Sequence, residues 1–256
     1  ALDNDLFELH FQPIIETEGK DPDKGLHGEI LVRMVADEEE GSGLIMPSAF
    51  IPTAERFHLM PQIDKWVIKH SLMCMSNNET AGIQLDLCSI NLSGQSMSDM
   101  GLVDFIIEQI RETGVSPEKL CFEITETTAI ANLNRAMQFI TELKSRGCRF
   151  ALDDFGSGLS SFSYLKKLPV DYLKIDGVFV KDLDTNPIDR AMVEAINQIG
   201  HLMGLKTVAE YVTTDAVMKE VEAIGVDFGQ GYHIAKPMLV ELPKQNARYN
   251  NIQKAT

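Results

Sequence analysis

Four times along this chain, an amphipathic stretch with helical spacing stops at glycine and is followed by a short apolar run that ends on a polar residue. Leu102 to Glu112 stops at Gly114, and Leu120-Cys121-Phe122 runs into Glu123. Leu133 to Arg146 stops at Gly147, and Phe150-Ala151-Leu152 runs into Asp153. Met192 to Met203 stops at Gly204, and Leu205 to Ala209 runs into Glu210. Val217 to Ile224 stops at Gly225, and Val226 to Gly229 runs into Gln230. The 3.6-residue period and the terminal glycine predict helices. Runs this short and apolar on both faces predict strands of a parallel sheet covered by those helices.

Earlier segments extend the count. Glu8 to Ile14, His27 to Met34 and Ile83 to Leu92 read as strands, and Pro47 to Arg56 and Gln62 to Ser76 as helices. Val170 to Ile175 is a further strand, after a short helix around Ser160 to Leu168. About eight strands interleaved with helices in 256 residues predict one α/β domain, a (β/α)8 barrel like that of triosephosphate isomerase. The polar loop from Glu16 to Gly25 is too short for a crossover helix, so the first strand is expected to pair antiparallel. An open doubly wound sheet is the alternative, but no Gly-x-Gly-x-x-Gly turn follows the first strand.

Active sites of such barrels lie at the C-terminal ends of the strands. Read in order, those ends offer Gln12, Glu29 with Arg33, Asn91, Glu123, Asp153 with Asp154, Lys174 with Asp176, Glu210 and Gln230. Any single acid there could be a helix N-cap or first-turn residue. Five at separate strand ends are not accounted for that way. Clustered carboxylates repel, so each must hold a proton or share a cation. The protein itself brings only Arg33 and Lys174, which leaves a divalent metal as the economical counter-charge. An all-oxygen donor set favours Mg²⁺, Mn²⁺ or Ca²⁺ over zinc or copper. The adjacent Asp153 and Asp154 could serve two ions, a pairing suited to hydrolysis of a phosphoester. The glycine- and serine-rich stretch Gly156 to Ser161 reads as a small-residue loop able to close over that site.

The net charge of −15 excludes a basic surface for a nucleic-acid polymer or an anionic membrane. No apolar run is long enough to span a bilayer. Cys74, Cys88, Cys121 and Cys148 form no Cys-x-x-Cys pair and read as buried thiols of a reducing, cytoplasmic compartment. The chain opens at Ala1 close to a strand, and reads as a domain cut from a longer protein that could itself be membrane-anchored. His10, His27, His58, His70, His201 and His233 are not spaced as metal ligands, and Asp37 to Glu40 reads as a solvated loop. The methionines read as core.

The residues resemble the EAL family of cyclic di-GMP phosphodiesterases. The namesake Glu-Ala-Leu-x-Arg motif stands here as Glu29-Ile30-Leu31-Val32-Arg33. Phe11-Gln12-Pro13-Ile14, Ile90-Asn91-Leu92-Ser93, Phe122-Glu123-Ile124-Thr125-Glu126-Thr127, Asp153-Asp154-Phe155-Gly156, Leu173-Lys174-Ile175-Asp176, Val208-Ala209-Glu210 and Gln230-Gly231-Tyr232 follow in family order across nearly the whole chain.

The resemblance implies a barrel with an antiparallel first strand and hydrolysis of cyclic di-GMP to linear pGpG with two Mg²⁺ or Mn²⁺ ions, Ca²⁺ being inhibitory. It implies that Glu29, Asn91, Glu123 and Asp153 ligate one metal, and Asp153 and Asp154 the second. Glu210 is a ligand or general base, and Lys174 orients the attacking water. Gln12, Arg33, Asp176 and Gln230 meet the substrate, and Glu126 pins the Gly-Ser loop. A homodimer and covalently linked sensory or GGDEF domains are also implied.

Two positions depart from the family. Thr213 stands where a second Glu is usual, and Leu159 where Tyr is frequent. Thr213 is expected to cap the following helix, with Asp215 in its first turn. A lost supporting carboxylate would instead lower metal affinity or rate by ~10–100-fold. The alternatives are therefore a weak or inactive domain that binds cyclic di-GMP as a receptor module, and a barrel enzyme acting on phosphorylated sugars.

Overall fold

The computed structural model describes residues 6–17, 25–36, 43–81, 85–157 and 163–240. Eight strands form the barrel wall: β1 (Phe7–Glu16), β2 (Leu26–Val35), β4 (Leu85–Asn91), β5 (Leu120–Thr125), β6 (Arg149–Phe155), β7 (Tyr172–Ile175), β8 (Lys206–Ala209) and β9 (Phe228–Gln230). The β1–β2 pairing closes the sheet, which excludes the open alternative. β1 is antiparallel to both neighbours, β2 and β9, while β2 and β4 through β9 run parallel. The short β3 (Leu44–Ile45) and β10 (Met238–Leu239) hang on β2 and β1.

The outer helices are α1 (Pro47–Arg56), α2 (Met60–Ala81), α3 (Leu102–Thr113), α4 (Glu126–Ala131), α5 (Leu133–Lys144), α6 (Gly177–Val180), α7 (Pro187–Leu202) and α8 (Asp215–Ile224). Gly114 and Gly225 end α3 and α8 in the left-handed conformation that glycine adopts without strain. The helices differ from expectation in several places, among them the following. α7 begins five residues early, because Asn186 caps it and Pro187 fills its first position, so the start signal precedes the apolar stripe. Of the helix expected around Ser160 to Leu168, the described residues show a 3-10 turn at Leu165–Lys167, and residues 158–162, with Leu159, lie outside the described residues. α4 was not foreseen; the Thr125 side chain caps it by accepting from Thr128 N–H. The Asp37 to Glu40 run and most of the Glu16 to Gly25 loop also lie outside the described residues.

Strand side chains alternate between two environments. Phe122 and Ile124 of β5, Phe150 and Leu152 of β6, and Leu173 and Ile175 of β7 face the helices and join the main core. Their neighbours face the barrel axis. Ile14, Leu87, Cys121, Ala151, Tyr172 and Val208 make a separate apolar plug inside the barrel. Two residues further toward the mouth, the same inward-facing rows carry Gln12, Ser89, Glu123, Asp153, Lys174 and Glu210. The barrel thus closes its floor with hydrocarbon and lines the space above with charge.

All four cysteines are buried free thiols, with burial raising Cys88 to about 12. Not every methionine is core: Met46, Met100, Met192 and Met238 are exposed. None of the described helices is long and apolar enough to cross a membrane.

Candidate metal and phosphodiester site

Lys174 is 1% exposed, and its ammonium lies 2.5 Å from Glu123 Oε2, 2.9 Å from Glu210 Oε1, 3.0 Å from Asp153 Oδ1 and 3.4 Å from Glu29 Oε2. Acids spaced from position 29 to position 210 therefore meet around one cation. Asn91 Nδ2 donates to Glu29 Oε1 at 2.5 Å, and Gln230 Nε2 donates to Glu29 Oε2 at 2.7 Å. Gln12 lies directly across the β1–β2 ladder from Glu29, donates to the Ala235 carbonyl at 3.1 Å and accepts from Gln230 at 3.4 Å.

Two strand-end readings need correction. Gln12 is mid-strand in β1, because an antiparallel strand enters at the mouth and ends at the floor. Glu29 is mid-strand in β2, whose last pair with β4 is Ile30 with Ile90; beyond it β2 continues past the barrel to meet β3. Glu29 therefore sits at the end of the barrel portion of its strand.

Adjacent residues of a regular strand point to opposite faces, so Asp153 and Asp154 should diverge. They do not, because the β6–β7 register shifts between Leu152 and Phe155 and Asp154 has a φ of 54°. Aspartate tolerates that left-handed conformation better than most residues. The turn brings one oxygen each of Asp153, Asp154 and Glu210 within 4.8 Å of one another, a group that could hold a metal ion.

The electrostatics show a deficit of positive charge. Burial is the largest influence on Glu29, but Lys174, Gln230 and Asn91 outweigh it and hold the carboxyl below its usual range. Burial, with repulsion from Glu29 and Asp153, pushes Glu123 up to about 8 despite Lys174. Burial and the charge of Asp153 push Glu210 well above the usual carboxylate range. Burial, with Asp153 and Asp176 nearby, lifts Asp154 to about 6. For Lys174, burial opposes the charge, yet the four carboxylates raise it far above an ordinary lysine. One ammonium does not neutralise this cluster. Asp153 Oδ1 is buried and, among the described residues, has no donor directed at it with hydrogen-bond geometry, although Lys174 is near. An oxygen-only donor set, surplus negative charge and a buried carboxylate oxygen still able to accept fit a divalent cation.

The site opens into a cavity of about 610 Å³ lined by Gln12, Glu29, Arg33, Asp154, Asp176, Glu210, Thr213 and Gln230. Asp176 also caps α6, accepting from Val178 N–H at 2.9 Å, so it carries a structural duty. Thr213 is not the cap of α8; Thr214 is, accepting from Val217 N–H, and Thr213 is left facing the cleft, with Asp215 in the first turn as expected. Glu126 accepts from Gly156 N–H at 3.1 Å and from the Tyr164 hydroxyl, tying the start of the Gly-Ser loop to the barrel. The sequence reading missed Tyr164 and Tyr211, the latter a positive-φ residue lining the cavity.

A family model described as EAL domain matches residues 1–237. The cyclic di-GMP phosphodiesterase PdeB of Shewanella oneidensis is 42% identical over 238 residues, 93% of this chain and 27% of that protein. The cyclic di-GMP phosphodiesterase PdeF of Escherichia coli is 35% identical over 93% of this chain and 30% of its own length. The chain thus spans less than a third of either relative. A solved complex named PaMucR phosphodiesterase with c-di-GMP superposes with a TM-score of 0.84 at 33% identity, covering 93% of this chain and 94% of that one. The FimX EAL domain from Pseudomonas aeruginosa bound to c-di-GMP superposes with a TM-score of 0.84 at 28% identity, covering 93% of each chain.

Proposed function

The chain belongs to the EAL domain family, and on that premise we propose that it hydrolyses cyclic di-GMP to linear pGpG with two Mg²⁺ or Mn²⁺ ions. The observation that carries this reading is the meeting of Glu29, Glu123, Asp153 and Glu210 around Lys174, beside the Asp153–Asp154–Glu210 oxygens. Glu29, Asn91, Glu123 and Asp153 would hold one ion, and Asp153, Asp154 and Glu210 the other. Bound there, such ions lower the pKa of water and neutralise charge at phosphorus.

The chain's own groups do the rest. Lys174 keeps the acids together and orients the attacking water. Glu210, 20% exposed at the cavity wall, accepts its proton. Arg33, buried beside Glu29 and Tyr232, meets a phosphate oxygen with its guanidinium. Gln12, Gln230 and Asp176 offer polar atoms to the rest of the dinucleotide. Gln230 Oε1 is buried and has no hydrogen-bond partner among the described residues, as an acceptor kept for a ligand would be.

The receptor alternative rests on Thr213, and all six metal-binding positions are filled by oxygen donors, which favours turnover. The domain works in the cytoplasm as a homodimer, linked to sensory or GGDEF domains. A related protein, MucR, is named a bifunctional diguanylate cyclase/cyclic di-GMP phosphodiesterase, and this chain spans 34% of it.

The test is conversion of cyclic di-GMP to pGpG by this chain in Mn²⁺. Glu29→Ala or Asp153→Ala should lower kcat at least ~100-fold. Tight binding without turnover in saturating Mn²⁺ would select the receptor reading. Activity on sugar phosphates and none on the dinucleotide would select the third.

A further inference from the structure

Tyr211 follows Glu210 directly and has a φ of 58°, in the left-handed region that bulky residues rarely enter. Glycine or asparagine would fill such a position with less strain. The backbone there is fixed from both sides: Glu210 N–H donates to the Ile175 carbonyl at 3.3 Å and Val212 N–H to the Gln230 carbonyl at 2.9 Å. Gly177 makes room for the side chain, since a Cβ at position 177 would lie 2.6 Å from Tyr211 Cβ. Yet the ring is not packed away. Tyr211 is 61% exposed, and it lines the same cavity as Glu210, Asp176, Val178 and Lys181. A strained backbone that holds an aromatic ring at the wall of a cleft, instead of burying it, points to a ligand with a flat face.

We propose that Tyr211 is a stacking platform for one guanine base of the dinucleotide. This rests on the phosphodiesterase reading above and deepens it: Tyr211 supplies affinity for the base and takes no part in the chemistry at phosphorus. Base–aromatic stacking depends on the π-face and not on the phosphate linkage. The cyclic substrate and the linear product should therefore gain from it alike.

The test compares wild type with Tyr211→Gly and Tyr211→Phe. Calorimetry measures binding of cyclic di-GMP and of pGpG with Ca²⁺ as the inactive ion, and steady-state kinetics with Mn²⁺ gives KM and kcat. Tyr211→Gly should keep or raise the Tm by relieving strain, yet weaken both ligands by ~5–150-fold. KM should rise far more than kcat falls, and Tyr211→Phe should restore both affinities. Unchanged affinities in Tyr211→Gly, a loss confined to kcat, or a loss for cyclic di-GMP without one for pGpG would overturn the proposal. The wild-type arm reports separately on the function: wild type that neither binds nor cleaves cyclic di-GMP overturns that reading and the base platform with it.

Discussion

Lys174 Nζ lies 2.5 Å from Glu123 Oε2 inside the barrel, with both side chains 1% exposed. A buried pair of this kind is costly to form and costlier to break from one side. Lys174→Met should therefore destabilise the metal-free protein by ~3–5 kcal/mol, because it leaves buried acids without their cation. Urea unfolding in EDTA measures this. Added Mn²⁺ should recover part of the loss, since the ion supplies the missing charge.

Metal binding should release protons. Burial and the neighbouring carboxylates push Glu123 up to about 8, so it holds a proton at pH 7 before a cation arrives, and they shift Glu210 in the same direction. A ligating carboxylate must be ionised. Apparent Mn²⁺ affinity should thus rise from pH 6 to 8, with about one proton released at pH 7. Titration calorimetry in buffers of different ionisation enthalpy reads that number. No buffer dependence would mean that Glu123 is not a ligand.

Glu126 should control the loop that follows the paired aspartates. Among the described residues, one of its carboxylate oxygens accepts from Gly156 N–H and the other from the Tyr164 hydroxyl. Glu126→Gln keeps the size but replaces one acceptor oxygen with a donor, which weakens these ties. Activity should fall by ~10–100-fold, as for other supports of a metal-binding segment. Steady-state kinetics beside a thermal melt checks this: kcat should drop while the Tm moves by only a few degrees.

The barrel floor should carry an acid sensitivity of its own. His27 packs its ring 5.4 Å from Phe228 and 5.9 Å from Tyr172. Burial first, then Lys174 and Arg149, lowers it to about 4 from 6.5. The folded state thus prefers the neutral ring and the unfolded state takes the proton first. Stability from this residue is intact above pH 6.5 and is lost as pH falls toward 4. Between pH 7 and pH 5, wild type should lose ~2 kcal/mol more than His27→Gln does. Denaturant curves at the two values measure the difference.

The barrel and most of its site were legible because both follow from local period. The helix–glycine–strand unit fixed the parallel strands, and the alternation along β5, β6 and β7 set Glu123, Asp153 and Lys174 on one side. The strand-end rule failed for Gln12 and Glu29, since the direction and overrun of β1 and β2 depend on closure of the sheet, a tertiary event. The sequence also anticipated a metal as chief counter-charge, while the central place of Lys174 among four acids appears only when their strands are assembled. Tyr211 was overlooked because a positive φ at tyrosine leaves no mark in periodicity or composition.

If distant acids form one cradle for paired divalent cations, anomalous diffraction from a crystal soaked in Mn²⁺ should reveal the ions. One peak is expected among Glu29, Asn91, Glu123 and Asp153, and a second among Asp153, Asp154 and Glu210. An anomalous map with no peak at either place, from a soak that saturates other EAL-family crystals, would contradict it.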